Sequence, residues 1–133
     1  MSTSGDVLIS NRLATDVTVT RLTTGGTGKI TFNQTGGGEV VAVLVQTSSG
    51  DIRIDGSSDV SVDKVSAVGN ALVINSGGAI SEFGTDGTAD LLGQNITLTA
   101  ATDIGEATNP IEYTSPNSVS ASAPGGVFLQ SVP

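Results

Sequence analysis

The chain has 133 residues, 13 acidic against 5 basic, a formal net charge of −8 and no His, Cys or Trp. The length suits one domain, and the acid excess excludes nucleic-acid binding and docking on anionic lipid, both of which need clustered Lys and Arg. Lacking imidazole and thiol, the chain has neither the common general bases nor the common transition-metal ligands, so it is read as a non-enzyme with no catalytic residue.

From the N-terminus, Met1 to Asp6 shows no basic start followed by an apolar run, so no signal peptide is expected there. The first element is the short strand Val7-Leu8-Ile9 behind Gly5. The same phrase, a Gly followed by an apolar–any–apolar strand, returns at Ile30-Thr31-Phe32, Ile52-Arg53-Ile54, Leu72-Val73-Ile74, Ile96-Thr97-Leu98 and Val127-Phe128-Leu129. The closing residues Ile9, Phe32, Ile54, Ile74, Leu98 and Leu129 are spaced 23, 22, 20, 24 and 31 apart. A second series, Val17, Val40, Val60, Ile80 and Ile104, follows them in step, and a third, Leu22, Val45, Val65, Ala89 and Val119, precedes each next strand. No window sustains helical periodicity over three turns, and none approaches the roughly 20 apolar residues of a membrane span.

Three strand series on one period of 20 to 24 residues describe a three-sided coil that buries its apolar residues only by stacking on its neighbours. The expected fold is therefore all-β: a right-handed parallel β-helix (β-solenoid) of about six coils of three short strands, spanning residues 1–133, its rod ~30 Å long at the usual strand spacing. Val and Ile form interior columns; Arg53, Ser61 and Thr97 face out; Asn33, Asp55 and Asn75 occupy one corner, as a polar ladder or as solvated turn residues. The period breaks after Ile104, so a loop insertion or extra strand is expected at 105–118, with a milder expansion between Ile80 and Ala89.

The stretch Thr102-Asp103-Ile104-Gly105-Glu106-Ala107-Thr108-Asn109-Pro110-Ile111 resembles the "D-I-G, short spacer, N-P, aliphatic" phrase of filamentous-haemagglutinin-like proteins, the giant repetitive adhesins of bacteria. Ser76 to Ser81, Gly93 to Leu98 and Ala123 to Leu129 fit the same phrasing. The resemblance implies the right-handed β-helix, secretion to the bacterial surface and a structural or adhesive role. The implied partners are adjacent solenoid repeats, copies of the chain end to end, or a host-surface or matrix glycan or protein, without nucleic acid or membrane insertion. The secretion domain of that family is not seen in this chain, and neither end carries a capping segment.

Loops on solenoids often bind, so Asn109, Pro110 and Tyr113 are the candidate partner-binding residues. No cofactor is expected. The one metal candidate is calcium, which takes several oxygens, at Asp86 and Asp90 in Gly84-Thr85-Asp86-Gly87-Thr88-Ala89-Asp90-Leu91, an imperfect glycine–aspartate phrase. Asp51, Asp55, Asp59 and Asp63 recur every four residues but straddle two strands and a corner, and Gly25 to Lys29 lacks the spacing of a phosphate loop. The Thr-x-Thr rows needed for ice binding are interrupted at Arg53/Asp55 and Val73/Asn75. Five scattered basic residues do not build the groove of a polysaccharide lyase. Two further function classes are weighed beside the surface module: a subunit of a self-assembling extracellular fibre, and a carbohydrate- or calcium-binding module.

Overall fold

The computed structural model describes residues 5–132; Met1 to Ser4, part of the stretch read for a leader, and Pro133 lie outside the described residues. These residues contain strands and no helix. The strands are β1 (Val7–Asn11), β2 (Val17–Val19), β3 (Leu22–Thr24), β4 (Ile30–Gln34), β5 (Val40–Thr47) and β6 (Ile52–Gly56). They continue as β7 (Val60–Ser76), β8 (Ile80–Glu82), β9 (Leu91–Ala100), β10 (Ile111–Thr114), β11 (Ser118–Ser122) and β12 (Leu129–Ser131). All strand pairs are parallel, and the chain winds into a β-solenoid of about five turns. The strands β5, β7 and β9 run through corners, β5 and β9 serving two faces each and β7 all three.

The register assigns each strand to a face. The first face stacks β1, β4, β6, the end of β7, the end of β9, and β11. The second stacks β2, the starts of β5 and β7, and β8, then continues through the bridges from Ile80 to Ile104 and from Ile104 to Val127. The third stacks β3, the end of β5, the middle of β7, the start of β9, β10 and β12. Alternation puts β-branched and Leu side chains inward on every face, where they pack well on a pleated surface. Ile30, Ile52, Leu72 and Ile96 form one buried column, and Phe32, Ile54, Ile74 and Leu98 the next. Arg53 and Thr97 are exposed as expected, whereas Ser61 is covered: its hydroxyl donates to Glu39 Oε2 at 2.7 Å and lies 3.2 Å from the Ser81 hydroxyl.

The last coil differs from the sequence expectation. Ala121, rather than Leu129, pairs with Leu98 on the first face, and Val119 pairs with Ile96 there instead of joining the third. Leu129 pairs with Ile111 on the third face. The sequence misleads because β11 reads Ser-Val-Ser-Ala-Ser, with little apolar bulk, while Gly126-Val127-Phe128-Leu129 imitates the Gly-led strand phrase. With Ala121 in register, the closing spacing after Leu98 is 23 and the period continues. The extra length lies elsewhere, in two segments at one corner: residues 83–90 between β8 and β9, and residues 105–110 between Ile104 and β10. Within the stretch 105–118, β10 is a ladder strand, bonded to both β9 and β12.

Corners repeat a side-chain device. An Asp stands immediately before six strand or bridge starts, and its carboxylate accepts the backbone N–H of the residue stacked above it in the next coil. The pairs are Lys29 to Asp6 and Glu39 to Asp16, both 2.9 Å; Ala71 to Asp51, 3.0 Å; Ala79 to Asp59, 2.9 Å; Glu112 to Asp90, 3.0 Å; and Gly126 to Asp103, 2.8 Å. For Asp51, Asp59, Asp90 and Asp103 the main-chain carbonyl meanwhile accepts from the preceding coil, at Ile30, Val40, Val65 and Ile80. A short side chain that only accepts suits an N–H left over where a ladder begins. About half of the 13 acids therefore have a structural task beyond the solubility their charge confers.

Candidate acidic site at the lengthened corner

The site grows out of the interior columns. On the second face Val19, Ala42, Val62 and Glu82 stack in register, so Glu82 takes a position held by small apolar side chains in the coils below it. Its strand keeps the alternation: Ile80 and Glu82 are buried and Ser81 is half-buried. In the earlier coils two residues separate the second face from the third, as between Val62 and Val65; here residues 83–90 intervene. The detour passes through Gly84, whose φ of +96° lies in the left-handed region, and returns inward at Asp90. Relative exposures of 7% for Glu82, 0% for Asp90 and 5% for Glu112 make all three carboxylates interior groups; Asp86 is exposed.

One carboxylate oxygen from each of Glu82, Asp86 and Asp90 lies within 4.8 Å of the others. Glu82 Oε1 accepts the Asp86 backbone N–H at 3.1 Å. Asp86 Oδ1 accepts both the N–H and the hydroxyl of Thr88, at 2.7 and 2.6 Å. Asp90 Oδ2 accepts the Glu112 N–H. Three further oxygens, Glu82 Oε2, Asp90 Oδ1 and Glu112 Oε2, are buried and have no hydrogen-bond partner. The ion pair found among the described residues, Arg53 with Asp55 at 2.8 Å, is on the surface of the first face.

Burial pushes the Asp90 carboxyl up to about 8; the neighbouring Glu82 and Glu112 carboxyls add to this, against the pull of the Glu112 N–H. Glu82 is raised for the same first reason, desolvation, reinforced by the charges of Glu112 and Asp86 and opposed by the Asp86 N–H and the neighbouring Asn109 amide. Asp86 is lowered by the hydroxyl and N–H of Thr88. Buried carboxylates without a compensating charge are costly.

Of the residues singled out from sequence, Asp86 and Asp90 do converge. Glu82 and Glu112 were missed. Glu82 could have been found from the column alignment, since the spacing of 20 from Val62 puts a Glu where a Val belongs. Glu112 lay in the stretch expected to be a loop. Asn109 closes a tight turn with Glu106 through two backbone bonds of 3.1 Å, and its side-chain amide donates to the Gly84 carbonyl at 3.0 Å, tying the two lengthened segments together. Pro110 is half-buried beside it. Tyr113 is a strand residue packed against the core, paired with Leu91 and Ser131.

The corner ladder at Asn33, Asp55 and Asn75 is partly formed: the three are in register, and Asn75 Nδ2 donates to Asp55 Oδ1 at 2.7 Å. These features define the class of protein as a parallel β-solenoid whose coils are tied by aspartates and whose wall holds one buried acidic cluster. No protein-family model matches the chain, and comparison with curated proteins and with solved structures finds no match.

Proposed function

We propose that the chain is a non-catalytic structural module, a rigid length of β-solenoid within a large bacterial cell-surface or secreted protein of the filamentous-haemagglutinin-like kind. One observation carries this reading: the polar side chains at the corners are spent on cohesion between coils, through the six Asp-to-backbone contacts. Four residues of the adhesin-like phrase support it, because each has a mechanical task. Asp103 ties to Gly126, Ile104 is fully buried, and Asn109 bridges to Gly84. Gly105 has a φ of +68°, and a Cβ there would collide with the Phe128 carbonyl.

In this role the partners are neighbouring solenoid coils, with adhesive contacts made by the polar outer faces. The test is antibody labelling of intact cells of the source organism, with protease shaving as a second readout. Surface labelling that shaving removes is the expected result. A protein reached only after lysis would sink the proposal.

A further inference from the structure

We propose that Glu82, Asp86 and Asp90, backed by Glu112, bind one divalent cation of the calcium type, which staples the lengthened corner of the fourth coil to the coil above it. The proposal is independent of where the protein resides.

Geometry is the first argument. Oxygens that share a calcium ion at about 2.3–2.6 Å can stand up to about 5 Å apart, and the three carboxylate oxygens fall within 4.8 Å of one another. Magnesium, at about 2.0–2.1 Å, spans oxygens no more than about 4.2 Å apart and demands near-ideal octahedral geometry, which a set of carboxylates spread over up to 4.8 Å suits less well than it suits calcium. Every ligand is a carboxylate oxygen, and the chain holds no His or Cys, so the donor set selects a hard cation over zinc or copper.

The second argument is independent of the clustering. Glu82, Asp90 and Glu112 are each more than nine-tenths buried, and each keeps one oxygen with no partner. Glu82 and Asp90 aim into the cluster, and the Glu112 carboxyl lies within hydrogen-bond reach of Asp90. An ionised carboxylate oxygen only accepts, so it is satisfied by a donor or a cation; no Lys or Arg forms an ion pair with these groups among the described residues, which leaves a bound cation or a proton held between the carboxyls, the two outcomes the titration separates. Access is available, since residues 83–88 are exposed and Asp86 stands at the solvent side.

The experiment is calorimetric titration and thermal melting of chelator-treated protein with calcium chloride, and magnesium chloride in parallel. Expected are one calcium per chain, a Kd of about 1 mM or tighter, and a melting temperature that climbs with calcium as mass action requires. Asp86→Ala, at an exposed position, should melt like the parent in chelator yet bind calcium at least tenfold more weakly, on the order of the loss of one charged ligand. Glu82→Gln should also lose the response, whereas Asp63→Ala, outside the cluster, should retain it. No heat and no melting shift up to about 10 mM calcium would overturn the proposal, since the carboxyls would then be neutralised by protons alone. A response that survives in both Asp86→Ala and Glu82→Gln would overturn it as well, by placing the ion elsewhere.

Discussion

The backbone N–H of Glu112 donates to Asp90 Oδ2 at 3.0 Å, and the N–H of Asp90 donates to the Glu112 carbonyl at 2.8 Å. The pair repeats the aspartate contact of the other corners, but Asp90 is fully buried whereas Asp6, Asp16, Asp51, Asp59 and Asp103 are exposed. The same bond therefore sits in two dielectric settings, and the buried one is faced by two further carboxyls, those of Glu82 and Glu112.

That contrast sets a pH dependence in chelator. The Asp90 carboxyl titrates at about 8 in the folded chain against an ordinary 3.8, so between these values the folded state holds a proton that the unfolded state has released. Stability is then greatest below the ordinary value and is lost as pH rises through about 8. Glu82, also raised, acts in the same direction; Asp86, lowered, acts oppositely and only at more acidic pH. Urea melts should give a lower midpoint at about pH 9 than at about pH 5, and Asp90→Asn should flatten the difference. A midpoint that rises over this range would contradict the assignment.

Glu82→Val restores the residue type that the column holds at Val62. In chelator this variant should be more stable than the parent by about 1–4 kcal/mol, since an apolar side chain replaces an uncompensated buried charge. The Asp86 N–H that Glu82 accepts is exposed and turns to water. Equilibrium denaturation with and without calcium checks both this gain and the loss of any cation response.

The aspartate contacts carry a separate expectation. Asp59→Ala leaves the Ala79 N–H without its acceptor and should cost about 1 kcal/mol. Asp59→Asn should recover most of that, because the amide oxygen still accepts. Equal losses in the two variants would mean that the charge, and not the bond, matters.

Core substitutions should separate the columns from the exterior. Ile74→Ala empties a site with no solvent exposure and should cost about 2–5 kcal/mol. Leu8→Ala, at a residue 75% exposed, should change the denaturation midpoint little.

Much of the architecture was legible because the interior positions of one coil stand over those of the next. Ile9, Phe32, Ile54, Ile74 and Leu98, spaced 23, 22, 20 and 24 apart, are paired residue by residue. Legibility failed where apolar bulk was absent: Ala121 holds the next position of that column with a methyl group, and the eye passes on to Leu129. Of the site, the exposed Gly-Thr-Asp-Gly phrase drew attention to Asp86 and Asp90. Glu82 escaped because an acid after Ile80-Ser81 reads as a strand end facing water. Glu112 escaped because its strand follows a segment with no counterpart in the earlier coils. Of the six aspartates before strand or bridge starts, only Asp51 and Asp59 stood in the spacing of four seen in sequence, and the partners of all six lie about one coil away and appear only once register is known.

The aspartate contacts also give the rod an arrow. Each carboxylate reaches forward along the chain, from Asp6 to Lys29, Asp16 to Glu39, Asp51 to Ala71 and so on to Gly126. A finished coil thus offers its successor a row of strand edges with acceptors already set at the corners, while the coil before it needs none of these side chains. Winding from the N-terminal end would let each new coil be captured by acceptors on the one already laid down, whereas winding from the other end would leave those acceptors to find their partners afterwards.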